Sequence, residues 1–489
     1  MNATPQRTWW LGLAAERWPN ARALTVGGET LSYRELVAAA RERATALAAG
    51  GVGGGDRVAW LGGASRPAVE LLHAVQLLGA ALCPLAARGT DRELVHQVHR
   101  VRPRLIVCDG EAHARGAAIA KQLGCDVVAE VSLVAGQLTT ELPHGDIDPA
   151  APLALLCTSG TTGEPKAVVL SSAACQASAL AAGRRLDYRA GQAWLATMPL
   201  QHVGGFSIVL RAAIFGAEVV LRDGFDAERT RDDVVRHSIR HASLVPTMLH
   251  RLLALETDQA SATALSSCCF LIGGAALSAD LARRAADAGL DVRATYGMTE
   301  TASQTTTTTR GEVFAYPETA GRPLDGVTVS IQAPDGDGYG EILVAGPTLF
   351  SGYFGDDVAT RAALRDGVFS TGDIGRLDAG GRLYVASRRT DLIVTGGENV
   401  RPEEVERVLE SHPAVSEAGV YGVPDEEWGQ RVAAIVVARD GARIDPAELE
   451  QWCREKLAAF KIPRRIDVAT RLPRTAGGKL VRGKLRGER

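Results

Sequence analysis

The stretch CTSGTTGEPKAVVL, residues Cys157–Leu170, decides how the chain is read. LALLC before the loop and AVVL after it have the apolar, β-branched character of short buried strands. Between them stand Thr158, Ser159, Gly160, Thr161, Thr162 and Gly163, with Lys166 just beyond. Small hydroxyl residues leave many backbone N–H groups and side-chain donors free, and the lysine adds a full positive charge. That combination suits an anion, above all a polyphosphate. Turns also use Gly, Ser and Thr, but a hairpin connection needs only about two to five residues and this one is longer. The GxxxxGK[ST] pattern does not fit either, because Lys166 is separated from Gly163 and Ala167 stands where Ser or Thr is required. The reading is two strands flanking a phosphate loop of another kind.

Outward from this loop the chain has βαβ rhythm. LSYRELVAAARERATALAAGG predicts a helix capped by Ser32 and stopped at Gly50–Gly51. DRVAWLGG, ALCPLA and RLIVCDG read as strands separated by the helices RPAVELLHAVQLLGA and DRELVHQVHRVRP. The same alternation resumes at Trp194 and runs through HASLVP, CCFLIGG and DVRATYG. This implies a mostly parallel sheet covered by helices, followed by a second layer of the same style. After Tyr316 the texture changes to antiparallel pairs with Gly/Asp turns. From about Asp391 a last unit shows two helices and three strands. The tract Thr305–Thr309 reads as a loop or an edge strand, and Trp9, Trp10, Leu11 and Leu13 as the packing face of a first helix.

Composition excludes several classes. The chain has 489 residues, 46% hydrophobic, and a net charge of −3 with basic and acidic residues interleaved, so no nucleic-acid partner is expected. The N-terminus lacks a basic segment followed by an apolar run, and the window LLHAVQLLGAALCPLAA is too short and interrupted to span a bilayer. Neither a signal peptide nor membrane insertion is expected. Cysteines 83, 108, 125, 157, 175, 268, 269 and 453 form no CxxC pair, which fits free thiols in a reducing cytoplasm and no structural zinc. Arginine dominates the cations: lysine occurs only at 121, 166, 456, 461, 479 and 484. Lys121 and Lys456 read as solvated helix residues, whereas Lys166 and Lys479 lie in Gly-rich loops where a compact charge can reach phosphate.

Four further stretches carry chemistry. LIGGAALS ends a strand in paired glycines against which a flat ligand can lie. YGMTETASQ offers an aromatic face, a hydroxyl at Thr299 and a carboxylate at Glu300 able to hold Mg²⁺ beside phosphates. GVFSTGDIGRL sets Asp373 on a turn where it can accept from two ribose hydroxyls, and SRRTDLIVTGGENVRPEEVE links the last two units.

With TSGTTGEPK, YGMTE, STGD, SRRTDLIVTGGEN and PRTAGGK in this order, the chain resembles the adenylate-forming enzymes over nearly its whole length: acyl-CoA synthetases, adenylation domains of peptide synthetases and luciferases. The resemblance implies that a carboxylic acid attacks the α-phosphate of ATP, and that a thiol then displaces AMP while a small domain rotates between the steps. It implies an α/β fold: a large N-terminal domain of two stacked α/β sheet subdomains plus a β-rich subdomain (residues 1–389), and a small mobile α+β C-terminal domain (390–489) carrying the catalytic lysine. Carried over to this sequence, Thr158–Gly163 and Lys166 hold the β- and γ-phosphates, Thr299 meets the α-phosphate and Glu300 binds Mg²⁺. Gly274, Tyr296 and Gly297 flank the adenine, Asp373 takes the ribose hydroxyls and Arg388 approaches ribose and phosphate. Lys479 bridges substrate carboxylate and α-phosphate, and Thr390–Asp391 form the hinge.

Among these enzymes the chain is most similar to o-succinylbenzoate:CoA ligases, through YGMTETASQ, the hinge segment and MPLQHVGGF. The acid pocket implied comprises His202, Val203, Gly204, Phe206, Gly273, Ala275, Thr301 and Gln304, with His202 gating access. ATP, Mg²⁺ and coenzyme A are the implied ligands, and the resemblance leaves room for a homodimer. A ligase for another aryl or medium-chain acid, or an enzyme loading a separate carrier protein, are the alternatives. Gln201 replaces a usual Phe, Ala167 a usual Gly, and Thr390 an Asp or Lys.

Overall fold

Ser32 closes a short hairpin and opens the first long helix. Its hydroxyl accepts from the Glu35 N–H while the Glu35 carboxylate accepts from the Ser32 N–H, starting the helix Tyr33–Ala49, which ends at Gly50 as its sequence predicts. The computed structural model of the protein describes residues 9–129, 142–143, 147–158, 165–275, 277, 279–334, 338–388, 393–400, 402–439, 441–473 and 485.

Alternation along the strands sorts side chains into layers. In Arg57–Leu61, Val58 and Trp60 enter one apolar core and Ala59 and Leu61 another. In Ala193–Ala196, Trp194 and Leu195 divide in the same way. Among the described residues, one sheet has nine strands in the order Arg322–Pro323, Ser303–Thr307, Asp291–Met298, Cys269–Ile272, His241–Leu244, Ala193–Ala196, Glu218–Leu221, Arg22–Val26, Glu29–Ser32. A second has seven: Gly352–Tyr353, Lys166–Ser171, Pro152–Thr158, Ala81–Pro84, Arg57–Leu61, Leu105–Cys108, Asp126–Ala129. The helices Tyr33–Ala49, Arg66–Leu77, Ser172–Leu186 and Val203–Phe215 share the core to which both sheets contribute. Central pairs in both sheets are parallel, as βαβ connections require.

The β-rich part pairs Thr328–Gln332, Gly340–Ala345 and Val368–Leu377, with Leu383–Arg388 on the far edge of the last. The C-terminal sheet runs Glu398–Val400, Ile393–Thr395, Gly429–Ala438, Val415–Asp425, with Arg465–Ala469 parallel to Gly429–Ala438. Its helices Pro402–Glu410 and Pro446–Arg454 close a separate core around Val405, Leu409, Val436 and Leu449. No helix among the described residues is long and apolar enough to cross a membrane.

Three expectations are corrected. The threonine tract is neither loop nor edge. Ser303–Thr307 lies between Asp291–Met298 and Arg322–Pro323, and Thr305 to Thr308 are fully buried. Its hydroxyls are satisfied internally: Thr306 donates to the Ala320 carbonyl at 2.7 Å and Thr308 accepts from the Ala294 N–H at 2.9 Å. The segment around the Gly396–Gly397 pair is a hairpin, Ile393–Thr395 with Glu398–Val400, where a loop was expected. Leu13 is 45% exposed, because the helix Trp10–Arg17 turns Trp10, Leu11 and Ala14 inward instead. The hairpin Arg22–Ser32 and the helix His113–Leu123 escaped the sequence reading.

Candidate active site

Parallel strands of the large sheet deliver the site. Ala193–Ala196, His241–Leu244, Cys269–Ile272 and Asp291–Met298 end at Met198, Val245, Gly273 and Thr299, all of which line one cleft of about 1220 Å³. Clefts at the carboxyl ends of parallel strands are where α/β sheets bind ligands. Thr158 and Lys166, the two ends of the glycine–threonine loop, are antiparallel register partners and reach the same cleft. Ser159 to Gly163 lie outside the described residues.

Gly297 is followed by a reversal so tight that a Cβ there would sit 1.8 Å from the Ser303 carbonyl oxygen. The short 3₁₀ turn Thr299–Thr301 follows and projects Glu300 into the cleft. The Tyr353 hydroxyl donates to Glu300 Oε1 at 3.0 Å, and Lys166 Nζ stands 4.5 Å from the centroid of the same tyrosine ring. Burial first, and then the Glu300 charge, raise the Tyr353 phenol, so it remains a donor. Tyr353 thus holds a cation and a carboxylate on either side of one ring. The sequence reading missed it.

Asp373 accepts from the Tyr296 hydroxyl at 2.8 Å. It is the register partner of Arg388 on the adjoining strand, so the two residues expected at the ribose are backbone neighbours. The Tyr296 ring, 8% exposed, packs with Leu324, Ile342 and Val344 beneath the cleft, and its hydroxyl rather than its face serves the site.

Of the expected acid pocket, His202, Val203, Gly204, Gly273 and Gln304 line the cleft, and Gly274 flanks them. Two expectations are corrected. Phe206 packs into the main core, and Thr301 is fully buried, its hydroxyl donating to main-chain carbonyls of its own turn. Ala275 is not on the lining. The residue missed here is Arg211, a lone cation in the apolar helix GGFSIVLRAAIF.

Arg211 is 1% exposed yet reaches the cleft. Its guanidinium stands 4.6 Å from the centroid of the Trp194 ring, and Nη2 donates to Gln304 Oε1 at 3.4 Å. Its Nε has no partner, and among the described residues no carboxylate pairs with it. Burial pushes this guanidinium down to about 10, still charged at neutral pH. Neighbouring His241 is held neutral: burial takes its imidazole down to about 4. The inner end of the cleft therefore carries an uncompensated positive charge. Gln304 presents its oxygen to Arg211 because its amide nitrogen donates the other way, to Thr307 Oγ1 at 3.3 Å, which gives the buried threonine tract a role.

The C-terminal unit closes the outer side. Gly396, Gly397 and Glu398 line the same cleft. Gly397 has φ +84°, and a Cβ there would lie 2.6 Å from Val245 Cγ1, so only glycine allows this approach. His202 Nε2 is 3.3 Å from Glu398 Oε1. Burial lowers the imidazole, but the hydrogen bond and charge of Glu398 outweigh it and raise His202, while Glu398 is lowered in return. Farther out, Arg251 pairs with Glu427 and stands 5.0 Å from the centroid of the Trp428 ring. Lys479, Thr390 and Asp391 lie outside the described residues.

Family models match this architecture in two parts: AMP-binding enzyme over residues 12–354 and AMP-binding enzyme C-terminal domain over 404–479. The chain belongs to the AMP-binding enzyme family. This AMP-binding enzyme is 38% identical over 482 residues to 2-succinylbenzoate–CoA ligase of Geobacillus kaustophilus, covering 98% of this chain and 97% of the relative. A solved structure of o-succinylbenzoate CoA synthetase from Bacillus subtilis, a double mutant bound with its product analogue OSB-NCoA, superimposes with TM-score 0.91 at 32% identity and 99% coverage of both chains. The same enzyme in complex with the acyl-adenylate intermediate OSB-AMP gives 0.76, again at 32% identity and 99% coverage of both chains.

Proposed function

We propose that the chain is an AMP-forming acid:CoA ligase converting 2-succinylbenzoate, ATP and CoA to 2-succinylbenzoyl-CoA, AMP and diphosphate through an acyl-adenylate. Arg211 carries the substrate reading. 2-Succinylbenzoate has two carboxylates, of which one reacts and the other stays charged throughout. A buried guanidinium with a free Nε and no carboxylate partner is a counter-charge awaiting the second. An acid with a single carboxylate would leave Arg211 uncompensated in the occupied site.

In the first step the reacting carboxylate attacks the α-phosphorus and the bond to diphosphate breaks. The loop Thr158–Gly163 and Lys166 hold the departing phosphates, Thr299 meets the α-phosphate, and Gly274, Gly297 and Tyr296 bound the adenine. Asp373, held by Tyr296, takes the ribose hydroxyls beside Arg388. Glu300 suits a divalent cation, which when bound offsets triphosphate charge. Among the described residues no group of three or more His, Cys, Asp or Glu could hold one, so phosphate oxygens would complete its shell. Lys479 stabilises the charge that develops on phosphorus. In the second step the thiol adds to the acyl carbon, loses its proton, and AMP leaves. A rotation at Thr390–Asp391, with domains at 1–389 and 390–489, exchanges Lys479 for the Gly396–Glu398 hairpin. Agreement with the product-analogue complex supports placing this structure at the thiol step. ATP and CoA as substrates fit a cytoplasmic location.

The deciding experiment is AMP release from ATP and Mg²⁺ with CoA across 2-succinylbenzoate, benzoate, salicylate and octanoate. Preference for the dicarboxylate is expected. Turnover confined to a monocarboxylate would overturn the substrate assignment and keep the reaction class.

A further inference from the structure

In a chain whose cations are almost all arginine, Lys461 is buried, its side chain 11% exposed, in a place no arginine fork would fit as closely. Its ammonium lies 2.6 Å from Glu93 Oε1 and 2.8 Å from Glu404 Oε1. Glu404 stands on Pro402–Glu410, within the same small domain as Lys461. Glu93 belongs to the large domain, in the first turn of the helix Asp91–Val101. The ammonium therefore joins the two domains through one contact and stays with its own domain through the other.

Both ends are prepared for that contact to open. Glu93 Oε2 accepts from the Thr90 N–H at 2.7 Å, closing the cap of its own helix, so Oε1 alone serves the lysine. If the domains part, Glu93 keeps its cap and Lys461 keeps Glu404. Neither charge is left buried without a partner, the situation that makes most buried pairs costly to break. Such a contact can form and dissolve in every catalytic cycle.

We propose that the Lys461–Glu93 contact latches the small domain in the orientation used for thioester formation, making both of them positioning residues for the thiol step. This rests on the two-step reading above. The latch lies outside the cleft, since neither residue lines it, and it acts on domain placement rather than on substrate. It closes in the same arrangement that sets Glu398 beside His202 at the cleft mouth. It must open when Lys479 is carried to the α-phosphate.

Two half-reactions separate the latch from a general folding role: acid-dependent exchange of pyrophosphate into ATP, and single-turnover conversion of synthetic acyl-AMP with CoA to thioester and AMP. Wild type is compared with Glu93→Gln, Lys461→Met and the double variant. Glutamine keeps an oxygen for the Thr90 N–H, so the helix cap and Tm are retained. A charged hydrogen bond lost from one orientation should slow thioester formation at least about 10-fold in each single variant, with exchange changed by less than about twofold. The double variant should be no slower than the singles, because both remove one contact. Equal losses in both half-reactions, additive losses, or an unchanged thioester rate would each overturn the latch. Wild type that makes acyl-AMP but no CoA thioester would instead overturn the two-step CoA reading, a result visible before any variant is made.

Discussion

The Tyr296 hydroxyl donates to Asp373 at 2.8 Å, joining two strands 77 residues apart in sequence and fixing the carboxylate where strand Val368–Leu377 meets the cleft. Tyr296→Phe keeps the packed ring and removes only this bond. With Asp373 free to rotate, KM for ATP should rise about 10-fold, the scale of a hydrogen bond to a charged group, with Tm nearly unchanged. A lower Tm with unchanged KM would make the bond structural only.

Arg211 predicts opposite effects on stability and specificity. Removing a buried charge that lacks a carboxylate partner relieves desolvation, so Arg211→Met should hold or raise Tm. The same change should cut the kcat/KM preference for 2-succinylbenzoate over an analogue lacking the ring carboxylate by about 10²-fold. Measurement of both acids with one preparation checks it, and an unchanged ratio removes Arg211 from the pocket.

His202 and Glu398 make the closed arrangement pH-dependent. His202 is raised in the closed state, so its contribution is complete below the ordinary imidazole value and fades as pH rises through the raised one. Glu398 is lowered, so its contribution is complete above the ordinary carboxylate value and fades as pH falls through the lowered one. Closure, followed by energy transfer between labels on the two domains, should be greatest between these limits. Glu398→Gln should move the upper limb down toward that of a free imidazole; an unmoved limb would assign it to another group.

Lys479→Ala should slow adenylation by about 10²- to 10³-fold, the loss of one transition-state charge contact, while thioester formation from supplied acyl-AMP persists. Equal loss of both steps would contradict the exchange of Lys479 for the Gly396–Glu398 hairpin.

Much of the site was legible because its chemistry is local. TSGTTGEPK, YGMTE and STGD each pack donors, a carboxylate or a tight turn into a few residues, and Lys166, Thr299, Glu300 and Asp373 do meet in one cleft. Ser32 with Glu35 marked a helix start because a cap is decided within one turn. The threonine tract misled because its hydroxyls look solvent-seeking. They are buried only because neighbouring strands and their own turn supply acceptors such as the Ala320 carbonyl.

The sequence by itself determined the layered α/β class, the phosphate loop and the order of the nucleotide-binding motifs, since periodicity and turn chemistry act over a few residues. Only the tertiary structure decided that Arg211 ends unpaired in the cleft, that Tyr353 stands between Lys166 and Glu300, and that Lys461 bridges Glu93 and Glu404. Whether a charge is neutralised, and by which partner, depends on distances between segments hundreds of residues apart. Local residue patterns do not encode those distances.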